Sequence, residues 1–211
     1  MSAKATGASS WAGAGQSEMA PAAGLPSGWA PVGNGGHIPA LDVAGAPRIL
    51  VAGIGNTFLG DDAFGVETVR ELMQQRWPAG VRVVDFGIRS YDLAFALADG
   101  YDAVILIDAA ARGQVPGTVY LVEVEQEQIA RAANEAANPH TLDPVLAIRM
   151  ANAIGDAPKR IYLVGCEPAV LETDTGQTGL SPTVQAAVAP AVELIQALVC
   201  RLLSGKKGNG R

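Results

Sequence analysis

Four aspartates and one histidine in this sequence have the surroundings that chemistry needs. Gly53-Ile54-Gly55-Asn56 leads within a few residues to the adjacent pair Asp61-Asp62. The glycines permit a tight turn and close backbone approach. A dinucleotide loop is disfavoured, because the spacing is not GxGxxG and two carboxylates occupy the helix start where a phosphate needs donors. The pair would instead suit a cation. A cap on the helix needs only one acidic residue, so the second asks for another role. Asp108 follows five apolar residues, and Asp85 closes Val81–Val84 in the same way. Singly, each reads as a turn former. Together with the Asp61-Asp62 pair, two strand-end aspartates point to a shared site. His140, in Asn138-Pro139-His140, is the only histidine after His37. A lone loop histidine is ordinarily a surface residue, yet this one is the only imidazole the folded part can offer. Two carboxylates and one imidazole suit a borderline divalent ion such as nickel, zinc, manganese or cobalt.

Other chemistries find little support. There is no GxSxG for a serine nucleophile and no HExxH for a zinc protease. Cys166 paired with His140 could act as a thiol nucleophile, but a small buried cysteine ending an apolar strand is the ordinary reading. Cys166 and Cys200 form no CxxC and imply no disulfide framework, which fits a reducing compartment, with one bridge between them left open.

The elements that must position these residues alternate. Short apolar runs at 49–54, 81–86, 103–107, 118–124 and 160–165 read as strands. Helical spacing covers 62–75, 90–98, 142–153 and 182–203. Ser181 is placed to cap the last helix, with Pro182 in its first turn and a bend expected near Pro190. The alternation predicts an α/β fold: a three-layer sandwich with a mostly parallel twisted sheet of about five strands flanked by helices. Ligands in such folds bind at the C-terminal ends of the strands.

Residues 1–47 are different. Ala, Gly, Ser and Pro supply 31 of the 47, and only Lys4, Glu18 and Asp42 carry charge. Such composition predicts a flexible, disordered tail. A single domain over 48–203 and a polar end at 204–211 complete the organisation. The chain carries 49% hydrophobic and 17% charged residues, enough for a substantial core. A net charge of −6 and 5% aromatics argue against a nucleic-acid partner. The start lacks the features of a secretory or transit signal, and no run approaches the roughly 20 apolar residues of a membrane span. The expectation is a cytoplasmic protein without membrane insertion.

Gly53-Ile54-Gly55-Asn56, Asp61-Asp62, Gly65-Val66, Ile107-Asp108-Ala109, Pro139-His140, Val164-Gly165 and Gly179-Leu180-Ser181-Pro182-Thr183-Val184 occur in an order that resembles the hydrogenase maturation endopeptidases. The resemblance covers roughly residues 48–200. It implies an α/β fold and an enzyme that trims the C-terminal extension from the precursor of a nickel-iron hydrogenase large subunit. Carried over by position, it places the metal-contacting residues at Asp62, Asp108 and His140. It also implies an endopeptidase of aspartic type, with Asp85 as a fourth catalytic residue that positions the peptide or a water. Nickel would be recognised in the loaded precursor, with no stored metal required. The sequence departs from the family at Asp85-Phe86-Gly87-Ile88, where many members have Asp-Gly-Gly-Thr. A non-catalytic nickel or large-subunit chaperone using the same three ligands is the alternative, separated from the protease by precursor cleavage.

Overall fold

The computed structural model describes residues 47–125, 144–155, 158–171 and 179–205. Five strands form one sheet: β1 (Ile49–Ile54), β2 (Val81–Gly87), β3 (Ala103–Ala109), β4 (Val119–Val124) and β5 (Ile161–Cys166). Their spatial order is β2-β1-β3-β5-β4. All neighbours are parallel except β4, which pairs antiparallel with β5 at one edge. The helices are α1 (Phe64–Met73), α2 (Ser90–Leu97), α3 (Pro144–Ile154) and α4 (Pro182–Ser204).

Six consecutive buried residues make up β1 because both of its faces are covered. Alternation sends Ile49 and Val51 to one side, where they meet Phe64, Val69 and Leu72 of α1 and Ile195 and Leu198 of α4. Leu50 and Ala52 go to the other side, against Leu93 and Leu97 of α2 and Ile148 of α3. The expected three-layer sandwich is therefore the observed one. The chain passes from β1 outward to β2, then crosses to β3 on the other side of β1, with α1 and α2 on opposite faces. That reversal falls at the C-terminal ends of β1 and β3, the position where open α/β sheets have their ligand crevice.

Cys166 and Cys200 are both free thiols, in line with a sequence that implies no disulfide framework. Three details differ from expectation. The segment before α1 is a 3-10 turn, Gly60–Ala63, so the α-helix starts at Phe64 and not at Asp62. β3 continues through Asp108, which pairs with Gly165, to Ala109, which pairs with Cys166. And α4 is, by length and composition, apolar enough to cross a bilayer. It is a core helix: Val184, Ala187, Val188, Ala191, Ile195, Leu198, Val199 and Leu202 make a buried stripe against α1 and the sheet. α4 runs unbroken through Pro190, and its start is as expected, with the Ser181 hydroxyl accepting from the Val184 N–H and Pro182 in the first turn. The tail, apart from Pro47, lies outside the described residues, as does the segment 206–211.

Candidate active site

The site is built where β1 runs out. Gly55 has φ +130° and donates its N–H to the Gly87 carbonyl at 3.1 Å, tying the ends of β1 and β2 together. A Cβ at Gly55 would lie 1.8 Å from the Asp62 carbonyl oxygen. Only glycine admits both this conformation and this approach. The loop then folds back on the 3-10 turn. The Asn56 side-chain oxygen accepts from the Phe58 N–H at 3.0 Å, and the Asn56 N–H donates to Asp62 Oδ2 at 2.6 Å. The Asp62 carboxylate is thus oriented by one short charge-assisted bond. Burial raises its pKa above the usual 3.8, with the Asn56 N–H pulling the other way.

Asp61 and Asp62 do not share a role, and neither caps α1. Asp61 is fully buried. Its carboxylate accepts from the N–H groups of Ala169 (2.8 Å), Val170 (2.9 Å) and Ser181 (2.6 Å), and from the Ser181 hydroxyl (3.0 Å).

Asp108 is buried near the end of β3, opposite Gly165. A Cβ on Gly165 would meet the Tyr120 ring at 2.3 Å, so the ring occupies the space over this glycine. The Tyr120 hydroxyl donates to the Ala110 carbonyl at 2.6 Å, just beyond Asp108. The phenol's pKa is raised, first by burial and further by the negative charges of Asp108 and Glu167, against the lowering effect of Arg112. Glu167, also buried, accepts from the N–H groups of Arg112 (2.7 Å) and Gly113 (3.2 Å) and so holds the chain that leaves β3. Glu167→Ala strands both donors and is expected to lower stability by about 2 kcal/mol, measured by urea unfolding.

Asp85 lies on β2 opposite Gly53, two residues before the strand ends. The register shifts between Gly53 and Ile54, a bulge of the kind that re-aims side chains beside functional sites. By alternation Asp85 belongs to the face of Val83, whereas Asp108 belongs to that of Leu106. The two strand-end aspartates therefore do not project from the same face of the sheet. The 3-10 turn that carries Asp62 packs against β3, the strand that carries Asp108 near its end. His140 lies outside the described residues. Among the described residues, no three His, Cys, Asp or Glu side chains come together as a group able to hold a metal ion.

Cys166 is not a nucleophile candidate. Its side chain is fully buried, and burial, followed by the charges of Asp61 and Glu167, pushes its pKa up to about 12. Sequence reasoning did not identify Glu167 or Tyr120 as residues that shape the site, and it took Asp61 only as one half of an acidic pair. The one available signal was the second acid of the Asp61-Asp62 pair, which a cap alone does not need.

With this geometry in place, the comparisons with known proteins agree with one another. A family model described as HycI, hydrogenase maturation protease, matches residues 66–198. The hydrogenase 2 maturation protease of Escherichia coli K12 is 34% identical over 153 residues, covering 71% of this chain and 89% of that protein. The hydrogenase expression/formation protein HupD of Bradyrhizobium diazoefficiens is 32% identical over 158 residues, covering 74% and 78%. Among solved structures, the hydrogenase maturating endopeptidase HybD from E. coli superposes with a TM-score of 0.63 at 33% identity, covering 73% of this chain and 93% of that one. The chain belongs to the hydrogenase maturation protease family and is a peptide-bond hydrolase.

Proposed function

We propose that this protein removes the C-terminal extension from the nickel-loaded precursor of a nickel-iron hydrogenase large subunit. The observation that carries this reading is family membership together with the placement of Asp62, in the turn after β1, and Asp108, near the end of β3, at the sheet's switch point. Nickel enters as part of the substrate. Asp62, Asp108 and His140 would engage it, a donor set of two carboxylates and one imidazole that suits this ion. Asp85, on the neighbouring strand, would position the peptide or a water. In the simplest chemistry, nickel in the precursor polarises the scissile carbonyl, and a carboxylate takes a proton from the attacking water. The C–O bond forms, the C–N bond breaks, and the proton passes to the departing amine. Recognition of nickel makes the reaction a checkpoint, because an unloaded precursor lacks the ion that these ligands engage. A cytoplasmic location and an aspartic-type mechanism are parts of the same proposal.

The test is incubation of the purified chain with nickel-loaded and nickel-free precursor, followed by mass measurement. Loss of the extension is expected only from the loaded form. His140→Ala should abolish that loss while circular dichroism stays unchanged. A folded His140→Ala protein that processes at the normal rate would remove His140 from the site.

A further inference from the structure

The Asp61 carboxylate is held through both of its oxygens. Oδ2 takes the Ala169 N–H, the Val170 N–H and the Ser181 hydroxyl, while Oδ1 takes the Ser181 N–H. Four donors thus converge on one ionised carboxylate, three of them on Oδ2. The backbone adds a fifth bond, from the Asp61 N–H to the Val170 carbonyl at 3.1 Å. The segment that follows β5 and the cap of α4 thereby meet on one residue of the Gly60–Ala63 turn. The next residue is Asp62, whose N–H donates to Leu59 and whose carboxylate takes the Asn56 N–H. In a turn of four residues there is no slack between one anchored carboxylate and the next.

We propose that Asp61 is a positioning residue for precursor processing: it locks the turn against the segment after β5 and the cap of α4, and so holds the Asp62 carboxylate in place on the Asn56 N–H. This rests on the role given to Asp62 above. A carboxylate is required, because an amide at this position presents an NH2 to donors. In place of Oδ1 it opposes the Ser181 N–H; in place of Oδ2 it opposes two backbone N–H groups. Asp61→Asn therefore frees at least one arm of the anchor and lets the turn shift, while side-chain volume stays the same.

Two measurements on the full chain test this. Asn56 bonds through its N–H to Asp62, so amide exchange at Asn56 reports whether the Asp62 carboxylate is in place. In Asp61→Asn, Asn56 protection is expected to fall at least about tenfold while the amides of Ile105 and Leu163 in the central strands keep theirs. On nickel-loaded precursor, kcat should fall at least about tenfold with KM within about threefold, the pattern of an interaction realised in the transition state. Ser181→Ala keeps three of the four bonds and should move both readouts in the same direction by less. If Asp61→Asn does not fold, Ser181→Ala carries the test alone. Unchanged Asn56 protection in a folded variant overturns the proposal, as does lost protection with unchanged kcat. A wild-type chain that cleaves no precursor would instead overturn the functional reading, and the Asn56 exchange would still decide whether Asp61 holds the turn.

Discussion

Asp62→Asn is expected to give a folded protein, at least as stable as the wild type at pH 7, that processes precursor at least about a hundredfold more slowly. The stability half follows from the raised pKa. Burial disfavours the charged form of Asp62, and the Asn56 N–H only partly offsets that. An acid whose folded pKa exceeds its unfolded value destabilises the native state once both states are ionised. The penalty is absent below the ordinary carboxyl range, grows as pH rises from there toward the folded pKa, and is fully present above it. Asparagine keeps an oxygen for the Asn56 N–H and carries no charge, so it escapes the penalty. Thermal unfolding across pH should show the variant's advantage at neutrality and its disappearance in acid. A variant clearly less stable than the wild type at pH 7 would mean that Asp62 contributes to the fold in a way its burial does not reveal. Gain in stability with loss of turnover is the expected signature of a functional residue placed against the interest of folding.

The second large effect concerns Gly65, at the start of α1. A Cβ there would sit 2.1 Å from the Ile107 carbonyl oxygen and 2.2 Å from that of Ile54. Both are backbone atoms of the central strands, which cannot turn away as a side chain would. Gly65→Ala must lift α1 off the sheet, at about 2–3 kcal/mol, lowering Tm by roughly 5–10 °C. Gly205→Ala is the control. Its φ of −68° and the open space around it predict a Tm within about 2 °C of the wild type. Scanning calorimetry on both variants decides the matter. Equal Tm values would mean that the helix start accommodates a methyl group that the present spacing excludes. Processing should fall with Gly65→Ala even below its Tm, because the same displacement moves the turn that carries Asp62.

Much of the fold was legible in the sequence for a simple reason. β1, β3 and β5 are buried on both faces, so each appears as an unbroken apolar run, and helices between such runs leave few arrangements. Ser181 and Pro182 announced the start of α4 because capping is local chemistry. Asp108 was expected to terminate β3, yet the ladder to Gly165 and Cys166 carries the strand past it. Pairing with another strand outweighs the residue's own preference for turns. The Tyr120 ring over Gly165 was invisible, since nothing local to a glycine says which side chain will fill the space above it. The two carboxylates at 61 and 62 were recognised as a pair but not told apart. Their difference lies in partners from the segment after β5 and the cap of α4, far along the chain. The strand-end reading also grouped Asp85 with Asp108, although strand alternation puts them on different faces.

The distances in sequence spanned by Asp61 carry a kinetic consequence. Its partners lie 108, 109 and 120 residues away. Contacts of that separation form only after the intervening chain has been brought into place, because closing so long a loop has to precede the bonds that reward it. The turn bearing Asp62 therefore sets late, after β5 has joined the sheet and α4 has docked. A nascent or partly folded chain can hold its central strands without an ordered Gly60–Ala63 turn. Substitutions at Asp61 should accordingly accelerate unfolding more than they slow folding, and hydrolytic competence arrives with the last stages of assembly.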